Sequence, residues 1–300
     1  MDFTGERYVP SIGGDVELEH YHRYAMACAF VKGKTVLDIA CGEGYGSALL
    51  SKSALKVFGV DIDTSVIKLA KKKYKAAGLQ FRSGSCEAIP LGARAIDVGV
   101  SFETIEHHDQ HLRMLAEIKR VLKPGGLLII SSPNKRVYSD IPKYSNPFHV
   151  KELYTREFAS LIKSQFKNQH YIKQNVVYGS LMMSGKSADR LDYFSHNKKS
   201  KFTQPNFPSK YDLIIASDGA LPKAKNSFFS RPIADVTVDF DAHIESLSST
   251  LESVVADRDS KESAIETLES ELATEIASRD AHIESLSSTL ESVVADRDSK

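Results

Sequence analysis

Cysteine is scarce in this sequence, and long apolar runs are missing from it. The three cysteines, Cys28, Cys41 and Cys86, are odd in number and fall in expected core or loop positions, which predicts no disulfide framework and favours a reducing compartment. The opening segment MDFTGERYVP carries charges where a signal peptide needs an apolar stretch, and no window approaches the roughly 18 apolar residues of a membrane span. We therefore expect a cytoplasmic protein without a transmembrane segment, in peripheral contact at most with the inner face of a membrane.

Net charge is also absent, because 39 basic residues balance 39 acidic ones. The two kinds of charge are, however, unevenly distributed along the chain. Residues 241–300 hold 15 acidic and 5 basic residues and carry −10, which leaves +10 on residues 1–240. A basic body favours anionic partners such as nucleotides, lipid-linked glycans or RNA. The alternative is that the two parts simply balance each other for solubility.

Glycine and proline are absent from the last 60 residues, where a repeat replaces ordinary domain sequence. The segment Asp241–Lys261 recurs word for word at Asp280–Lys300, 39 residues later, with the shorter relative AIETLESELATEIASRD between the copies. Apolar residues recur along it at steps of three and four, beginning at Ile244, Leu247 and Leu251, with two successive steps of four from Leu268 to Ile276. This spacing predicts a long helix with a narrow apolar stripe.

Such a stripe cannot bury itself, so residues 240–300 are expected to form a coiled coil that makes the protein a homo-oligomer. Arg258, Lys261 and Arg279 fall on the seam and weaken it. A lone solvated helix or a disordered acidic tail is the alternative. Because the second copy stops where the first continues, we expect the repeat array to extend further. The remaining residues, 1–235, are expected to form one domain.

The stretch Val36–Ser47, VLDIACGEGYGS, reads as a strand, a tight glycine loop and a helix start. Gly42, Gly44 and Gly46 would let the backbone approach a ligand closely. A second apolar strand, KVFGVD, ends in Asp61 about twenty residues on, where nucleoside-binding α/β folds place the carboxylate that accepts hydrogen bonds from ribose hydroxyls. A dinucleotide dehydrogenase is the rival, but it expects G-x-G-x-x-G, and position 47 is serine.

Strand-type and helix-type segments alternate through the body of the chain. We expect strands at 35–40, 57–61, 80–82, 95–101 and 126–132, helices at 16–31, 46–51, 65–77, 110–122 and 155–166, and a closing antiparallel hairpin from 170–178 and 211–217. The alternation predicts an α/β fold with a parallel sheet covered on both faces. The polar, basic stretch 180–210 is expected to be a mobile substrate-covering loop or disordered.

Four segments in a fixed order carry a family resemblance: VLDIACGEG, GVDID, SGSCEAIPL, and the run from DVGVSFETIEH to RVLKPGGLLIISSPN. They resemble those of class I S-adenosylmethionine-dependent methyltransferases over roughly residues 15–218. The resemblance implies a Rossmann-like seven-stranded sheet and S-adenosylmethionine as cofactor. It assigns cofactor binding to Arg23, Asp38, Ala40, Gly42, Gly44, Asp61, Ile62, Cys86, Glu87 and Ser101. Arg23 would grip the methionine carboxylate, unless it is an ordinary surface arginine.

The segment SFETIEHHD follows the fourth expected strand. Glu103, Glu106 and His107 are spaced to lie on one side of a helical turn, and such a group can bind a divalent ion. The E-x-x-E-H-H pattern also resembles small-RNA 2′-O-methyltransferases, in which two Glu and two His bind magnesium. That resemblance implies His149, in NPFHVKELYTREF, as the fourth ligand and Mg²⁺ as a second cofactor. His107 or His108 would take the acceptor's proton. Alternatively, Glu106 and His107 only cap the helix and line the pocket.

The elements GERYVP and LEHYHRY, joined to a coiled coil, resemble bacterial methyltransferases of surface-glycan assembly, among them O-antigen chain terminators. The resemblance implies O-methylation of a sugar hydroxyl on a surface polysaccharide, with a lipid-linked glycan as acceptor, a glycosyltransferase as partner and the coiled coil as spacer. Those terminators often also carry a kinase domain, which is not recognisable here, and this puts phosphate as the methyl acceptor in doubt.

Two alternatives remain open at this stage. The first is a terminal ribose 2′-O-methyltransferase for RNA, which would need an RNA-binding module. None is recognisable, so a nucleic acid is not the expected partner. The second alternative is a non-catalytic coiled-coil scaffold with a degenerate methyltransferase domain.

Overall fold

The computed structural model describes residue 9 and residues 14–177, 195–196, 202–203, 208–230 and 233–298. The chain divides into two compact units, Met1–Arg231 and Pro232–Lys300. The described helices of the first unit are α1 (Asp15–Cys28), α2 (Tyr45–Ser51), α3 (Thr64–Lys73), α4 (His111–Val121) and α5 (Thr155–Gln165). Its strands are β1 (Thr35–Ile39), β2 (Lys56–Asp61), β3 (Leu79–Ser83), β4 (Ile96–Ser101), β5 (Leu122–Pro133), β6 (Asn168–Gln174), β7 (Ser195–His196), β8 (Phe202–Thr203) and β9 (Tyr211–Ser217).

Seven of these strands form one sheet in the order β3-β2-β1-β4-β5-β9-β6. The first five are parallel, and β9 runs antiparallel to both β5 and β6. The expected seven-stranded α/β sheet with its closing antiparallel strands is therefore confirmed. Strand order reverses between β1 and β4, so their carboxyl ends open into a crevice of the kind where ligands of such folds bind.

Both faces of the sheet are covered, as the alternation of elements predicts. Leu128 and Ile130 of β5 pack with α4 and α5, whereas Leu127 and Ile129 pack with α1 and α2. Successive side chains of a strand point to opposite faces, which is why this one run of apolar residues serves two cores.

Several elements differ from their expected bounds. Helix α1 ends at Cys28 instead of residue 31, and β6 spans Asn168–Gln174 instead of 170–178. Helix α3 ends at Lys73 instead of residue 77, and its start is fixed by the Asp63 side chain, which accepts hydrogen bonds from the N–H groups of Ser65 and Val66. Strand β5 begins at Leu122, before the expected residue 126, because pairing with β4 jumps from Ile96–Leu122 to Val98–Leu127. Residues 123–126 thus bulge out of the ladder instead of ending it. Apart from β7, β8 and residues 208–210, the expected insertion at 180–210 lies outside the described residues.

Gly46, in the first turn of α2, lies against the Tyr24 ring of α1. A Cβ at this position would be 1.9 Å from Tyr24 Cζ. We expect Gly46→Ala to lower the free energy of unfolding by about 1–3 kcal/mol, because the ring must leave its packed position. The urea midpoint followed by circular dichroism measures this change.

Gly92→Ala is the matched control for that substitution. A Cβ at Gly92 would meet no described atom within 4 Å. The free energy of unfolding of this variant should therefore stay within about 0.5 kcal/mol of the parent value. Equal midpoints for the two variants would contradict the packing of α2 against α1.

The second unit is one helix, α6 (Ile233–Asp298), of 66 residues. Its apolar stripe is exposed within the unit, with Leu251 at 64% and Leu268 at 63% of their accessible surface. The basic seam residues pair with acids on the same helix, as in Lys261 with Asp257 at 2.8 Å and Arg279 with Glu275 at 3.0 Å. The long helix is confirmed, and the coiled coil stays a prediction. Among the described helices, none is long and apolar enough to cross a bilayer.

Candidate functional site

A cavity of about 280 Å³ opens at the carboxyl ends of β1 to β4. Most of its lining comes from the segments that follow these strands. Nine of the residues singled out from the sequence line it: Ala40, Gly42, Asp61, Ile62, Cys86, Glu87, Glu103, His107 and His108. Parallel strands bring their carboxyl ends to one edge of a sheet, which is why segments so distant in sequence meet here.

The rest of the lining was not assigned a role from the sequence: His20, Tyr24, Ile39, Cys41, Tyr45, Gly84, Ser85, Phe102 and Thr104. Helices α1 and α2 supply an aromatic wall, where His20 Nδ1 lies 2.8 Å from the Tyr45 hydroxyl and the Tyr24 ring meets Phe102 edge-on. His20 and Tyr24 fall within the helix expected at 16–31, and only the fold shows that they line the cavity.

Gly42 and Asp61 join the first two strands at the cavity floor. The Gly42 N–H donates to Asp61 Oδ2 at 2.9 Å, and the Asp63 N–H donates to Oδ1 at 3.0 Å. Gly42 has φ +51°, and a Cβ there would meet no described atom within 4 Å. The glycine therefore leaves open space beside a carboxylate whose oxygens each keep further acceptor capacity.

Two other expected cofactor residues, Gly44 in the glycine loop and Asp38 in β1, do not line the cavity. Gly44 has φ +87°, and a Cβ there would approach the Phe81 ring to 2.6 Å. Asp38 is buried away from the cavity lining and accepts hydrogen bonds from the Tyr24 hydroxyl at 3.1 Å and the Ser47 hydroxyl at 2.6 Å. Both residues shape the loop without lining the cavity.

Burial raises the pKa of Asp38 to about 7, against the lowering effect of its two hydroxyl donors. Because this carboxyl binds its proton more tightly in the folded chain than in the unfolded one, stability falls as pH rises from about 4 to about 7. At about 1.36 kcal/mol per pH unit, the loss is at most about 4 kcal/mol. We expect Asp38→Asn to remove this slope, measured as the difference in unfolding free energy from the parent between pH 4.5 and 8.

Asp97→Asn provides a control of opposite sign for the Asp38 measurement. The Asp97 carboxylate binds the Lys123 side chain and the Thr35 N–H, which hold its pKa below the ordinary value despite partial burial. The contribution of Asp97 to the free energy of unfolding is therefore lost as pH falls. Parallel pH curves for the parent and Asp38→Asn would contradict the raised pKa.

Arg23 and Ser101 also lie outside the cavity lining. The Arg23 guanidinium is buried, donates from Nη1 to Gln174 Oε1 at 3.0 Å, lies 3.6 Å from Glu103 Oε1 and stacks over the Tyr211 ring. Arg23 is therefore not an ordinary surface arginine. It does not line the donor cavity, and its contact with the methionine carboxylate stays a prediction. Ser101 is fully buried at the end of β4.

Ligand atoms of Glu106, His107 and His149 lie within 4.8 Å of one another, and of the three only His107 lines the cavity. Glu106 and His107 belong to a 3₁₀ turn, Ile105–His107, that follows β4. The loop before α5 brings His149 to them, because the N–H groups of Val150 and Lys151 both donate to the Glu106 carbonyl, at 2.9 and 3.0 Å. Three of the four expected metal ligands are thus assembled.

The surroundings of Glu106 and His107 match those of metal ligands, whereas both ring nitrogens of His149 already have partners, with Nε2 3.1 Å from the Asn146 amide nitrogen. Both Glu106 carboxylate oxygens are buried and have no hydrogen-bond partner among the described residues, and burial, with Glu103 nearby, raises its pKa well above the ordinary value. His107 Nδ1 lies 3.0 Å from the Phe148 carbonyl, and His149 Nδ1 lies 2.6 Å from Glu152 Oε1. In metal sites, an oxygen that accepts a hydrogen bond from the ring nitrogen not bound to the metal fixes the orientation of the histidine.

Glu103, the fourth expected ligand, is not part of this group. It has φ +48° and precedes the 3₁₀ turn, so residues 103–107 do not form the single helical turn that the spacing predicted. Its Oε1 accepts a hydrogen bond from the Ser131 hydroxyl at 2.6 Å, which directs the carboxylate toward β5 and Arg23.

His108, one of the two candidate bases, lines the cavity beside His107. Its Nε2 lies 3.2 Å from Met114 Sδ and 3.6 Å from Cys86 Sγ. Burial, reinforced by His111, lowers the pKa of His108. A neutral imidazole is the form that can accept a proton.

Comparisons with known proteins agree with this geometry. A family model described as a methyltransferase domain matches residues 37–130. A probable S-adenosylmethionine-dependent methyltransferase of Mycolicibacterium smegmatis is 34% identical over 172 residues, 55% of this chain and 64% of its own length. The phthiotriol/phenolphthiotriol dimycocerosates methyltransferase of Mycobacterium leprae is 32% identical over 174 residues, 57% of this chain and 59% of its own length.

A solved structure adds a likeness in fold alone. The methyltransferase bound to the Trm112 activator of Haloferax volcanii aligns over 68% of this chain and 92% of its own length, with a TM-score of 0.50 and 20% identity. The chain spans about 60% of the length of the two curated relatives described above. Residues 37–130 thus match the methyltransferase-domain family, and the glycine loop, the carboxylate after β2 and the sheet order agree with a domain of that kind in this part of the chain.

Proposed function

We propose that this chain is an enzyme that transfers the methyl group of S-adenosylmethionine to a sugar hydroxyl of a surface polysaccharide. The observation that carries the proposal is the cavity at the strand-order reversal, where Asp61 and Gly42 form the floor and His107 and His108 stand in the wall. A donor-binding surface and two candidate bases thus share one enclosed space.

The donor supplies an activated methyl group, and the residues of this chain bind and orient it. Asp61 would hold the ribose hydroxyls, and the open space at Gly42 would admit the methionine part. Ile62, exposed at 70% of its surface at the cavity edge, would cover the adenine together with Cys86 and Glu87. A ring nitrogen of His108 would take the proton of the attacking hydroxyl.

A divalent ion fits the group formed by Glu106, His107 and His149. The buried Glu106 carboxylate, without a hydrogen-bond donor in the described part of the chain, is the observation that favours it, because an uncompensated buried charge is costly. Two imidazoles and one carboxylate suit Mn²⁺, Fe²⁺ or Zn²⁺ better than Mg²⁺, which prefers oxygen ligands. When bound, the ion would supply Lewis acidity toward neighbouring acceptor hydroxyls.

The acceptor class is supported from two sides. Residues 1–240 carry +10, which favours an anionic acceptor such as a glycan on a lipid phosphate. A relative named for dimycocerosates also favours an acceptor with an apolar part. A glycosyltransferase partner and a position at the inner face of a membrane follow from this acceptor class as further proposals.

Helix α6 is proposed to join copies of this chain. Its apolar stripe repeats with the sequence and is self-complementary, and the same-helix ion pairs at Lys261 and Arg279 offset the seam charges. The expected result is an oligomer in sedimentation equilibrium of the full chain, and a monomer at all concentrations would contradict it.

The decisive experiment follows labelled methyl transfer from S-adenosylmethionine onto lipid-linked oligosaccharide, with added Mn²⁺ and with EDTA. Transfer to the oligosaccharide supports the proposal, and loss of transfer in EDTA supports the ion. Transfer to a single-stranded RNA 3′ end instead, with binding that weakens steeply with salt, would favour the RNA alternative. Failure to bind the donor in calorimetry would favour the non-catalytic scaffold.

A further inference from the structure

A second cavity, of about 600 Å³, lies between α1, β6 and the segment 224–229. Of the site residues expected from the sequence, Arg23 lies in its lining, and the chemistry proposed above does not use it. Its lining combines two kinds of side chain. Apolar groups come from Met26, Ile172, Leu213, Phe228 and Phe229, and basic groups come from His22, Arg23, Lys173 and Lys225.

Arg23, on α1, is a buried residue of this second cavity whose guanidinium is only partly hydrogen-bonded. The side chain is 1% exposed, and Nη1 donates to Gln174 Oε1 at 3.0 Å. Nε and Nη2 are buried and have no hydrogen-bond partner in the described part of the chain. These two nitrogens form one edge of the guanidinium, the edge that contacts two oxygens of a carboxylate or phosphate at once. Buried donors without partners are rare in folded proteins, so the Nε and Nη2 edge of Arg23 is a candidate binding site for a ligand that accepts hydrogen bonds.

The acids nearby leave that edge unsatisfied. Glu19 also lines the cavity. Its Oε1 accepts from Lys210 Nζ at 2.6 Å, and its Oε2 is buried without a hydrogen-bond partner among the described residues, so neither oxygen binds this edge of Arg23. Glu103 lies 3.6 Å from Nη1, on the other nitrogen, and binds the Ser131 hydroxyl. Lys173 and Lys225 also belong to the lining, so basic side chains outnumber acidic ones there. The rest of the wall is largely apolar.

We propose that this second cavity binds an amphiphile, an apolar chain that ends in a phosphate or a carboxylate. Nε and Nη2 of Arg23 would donate to two oxygens of that anionic group. Glu103, on the Nη1 side of the guanidinium, lines the donor cavity, so one guanidinium separates the anion on the opposite edge from that cavity. We therefore assign it to the methyl acceptor, an assignment that rests on the proposed function. The oxyanion positions the acceptor and is not the group that is methylated.

Calorimetric titration of the full chain at low salt tests the proposal with dodecyl phosphate below its micellar concentration, dodecanoate and inorganic phosphate. We expect one saturable site for the amphiphiles and much weaker binding of inorganic phosphate. Arg23→Gln should weaken amphiphile binding about 10- to 100-fold, since two charge-assisted hydrogen bonds are lost. Lys225→Ala, at an exposed position, should weaken it about two- to fivefold.

Lys68→Ala, an exposed lysine on α3 outside the lining of this cavity, is the matched control and should bind like the parent. If Arg23→Gln fails to fold by circular dichroism, Lys225→Ala and Phe229→Ser decide. Amphiphile affinities that none of the cavity variants changes would overturn the site. Inorganic phosphate binding as tightly as dodecyl phosphate would overturn the apolar part.

Donor titrations separate this inference from the proposed function. Arg23→Gln should leave the affinity for S-adenosylmethionine unchanged. A loss of donor affinity with unchanged amphiphile binding would show that Arg23 grips the methionine carboxylate, and would overturn the proposal. If the amphiphile binds as described and no acceptor is methylated, the oxyanion site stands and its assignment to the acceptor fails.

Discussion

Asp61→Ala is expected to weaken S-adenosylmethionine binding by at least about 100-fold, because hydrogen bonds to a charged acceptor contribute about 1.5–3 kcal/mol each and two ribose hydroxyls would lose theirs. The substitution also removes the acceptor of the Gly42 N–H, which ties the glycine loop to β2. Isothermal calorimetry with the purified chain measures the loss directly.

Asp63→Ala is the control that isolates this effect. Asp63 lies two residues further along the same segment, and its side chain caps α3 through the N–H groups of Ser65 and Val66. Its loss should lower stability by about 1 kcal/mol and leave donor affinity within about threefold. If Asp61→Ala binds the donor as tightly as Asp63→Ala does, the floor of the cavity has been misassigned and the donor, acceptor and metal proposals fail together.

Glu106→Gln is expected to abolish Mn²⁺ binding, with a loss of at least about 100-fold in affinity, and to reduce methyl transfer to a similar extent. The substitution keeps the shape of the side chain but removes the charge that would bind the ion. It should also leave the metal-free protein at least as stable as the parent, because the Glu106 carboxylate is buried without a hydrogen-bond partner among the described residues. Calorimetry with Mn²⁺ and urea unfolding measure the two effects separately.

Glu103→Gln tests the placement of the site. The sequence spacing made Glu103 a fourth ligand, whereas the fold directs its carboxylate to Ser131 and Arg23. We expect Mn²⁺ affinity to change less than about threefold in this variant, while donor binding stays intact in both glutamate variants. Equal Mn²⁺ affinity in the parent and Glu106→Gln would leave Glu106 and His107 as structural residues, and the enzyme would then work without an ion.

The sequence by itself determined the elements of the first unit and the floor of the donor cavity. Strand and helix periods are local, so the alternation predicted the parallel strands and their closing partner β9. The glycine loop and Asp61 were predictable because each directly follows or ends an apolar strand, and the carboxyl ends of parallel strands meet. The repeat determined the helix α6 for the same reason, since its apolar spacing is local.

Only the tertiary structure decided which of the predicted side chains share a site. The Glu103 carboxylate accepts a hydrogen bond from Ser131, 28 residues away in sequence. Arg23 donates to Gln174, 151 residues away, and does not line the donor cavity. The Glu106 carbonyl brings His149 to its place through two backbone hydrogen bonds. Packing against Phe81 explains Gly44, which sequence spacing alone assigned to the ligand. Spacing places a residue on an element, whereas contacts between distant elements decide where its side chain lies and which partner it meets.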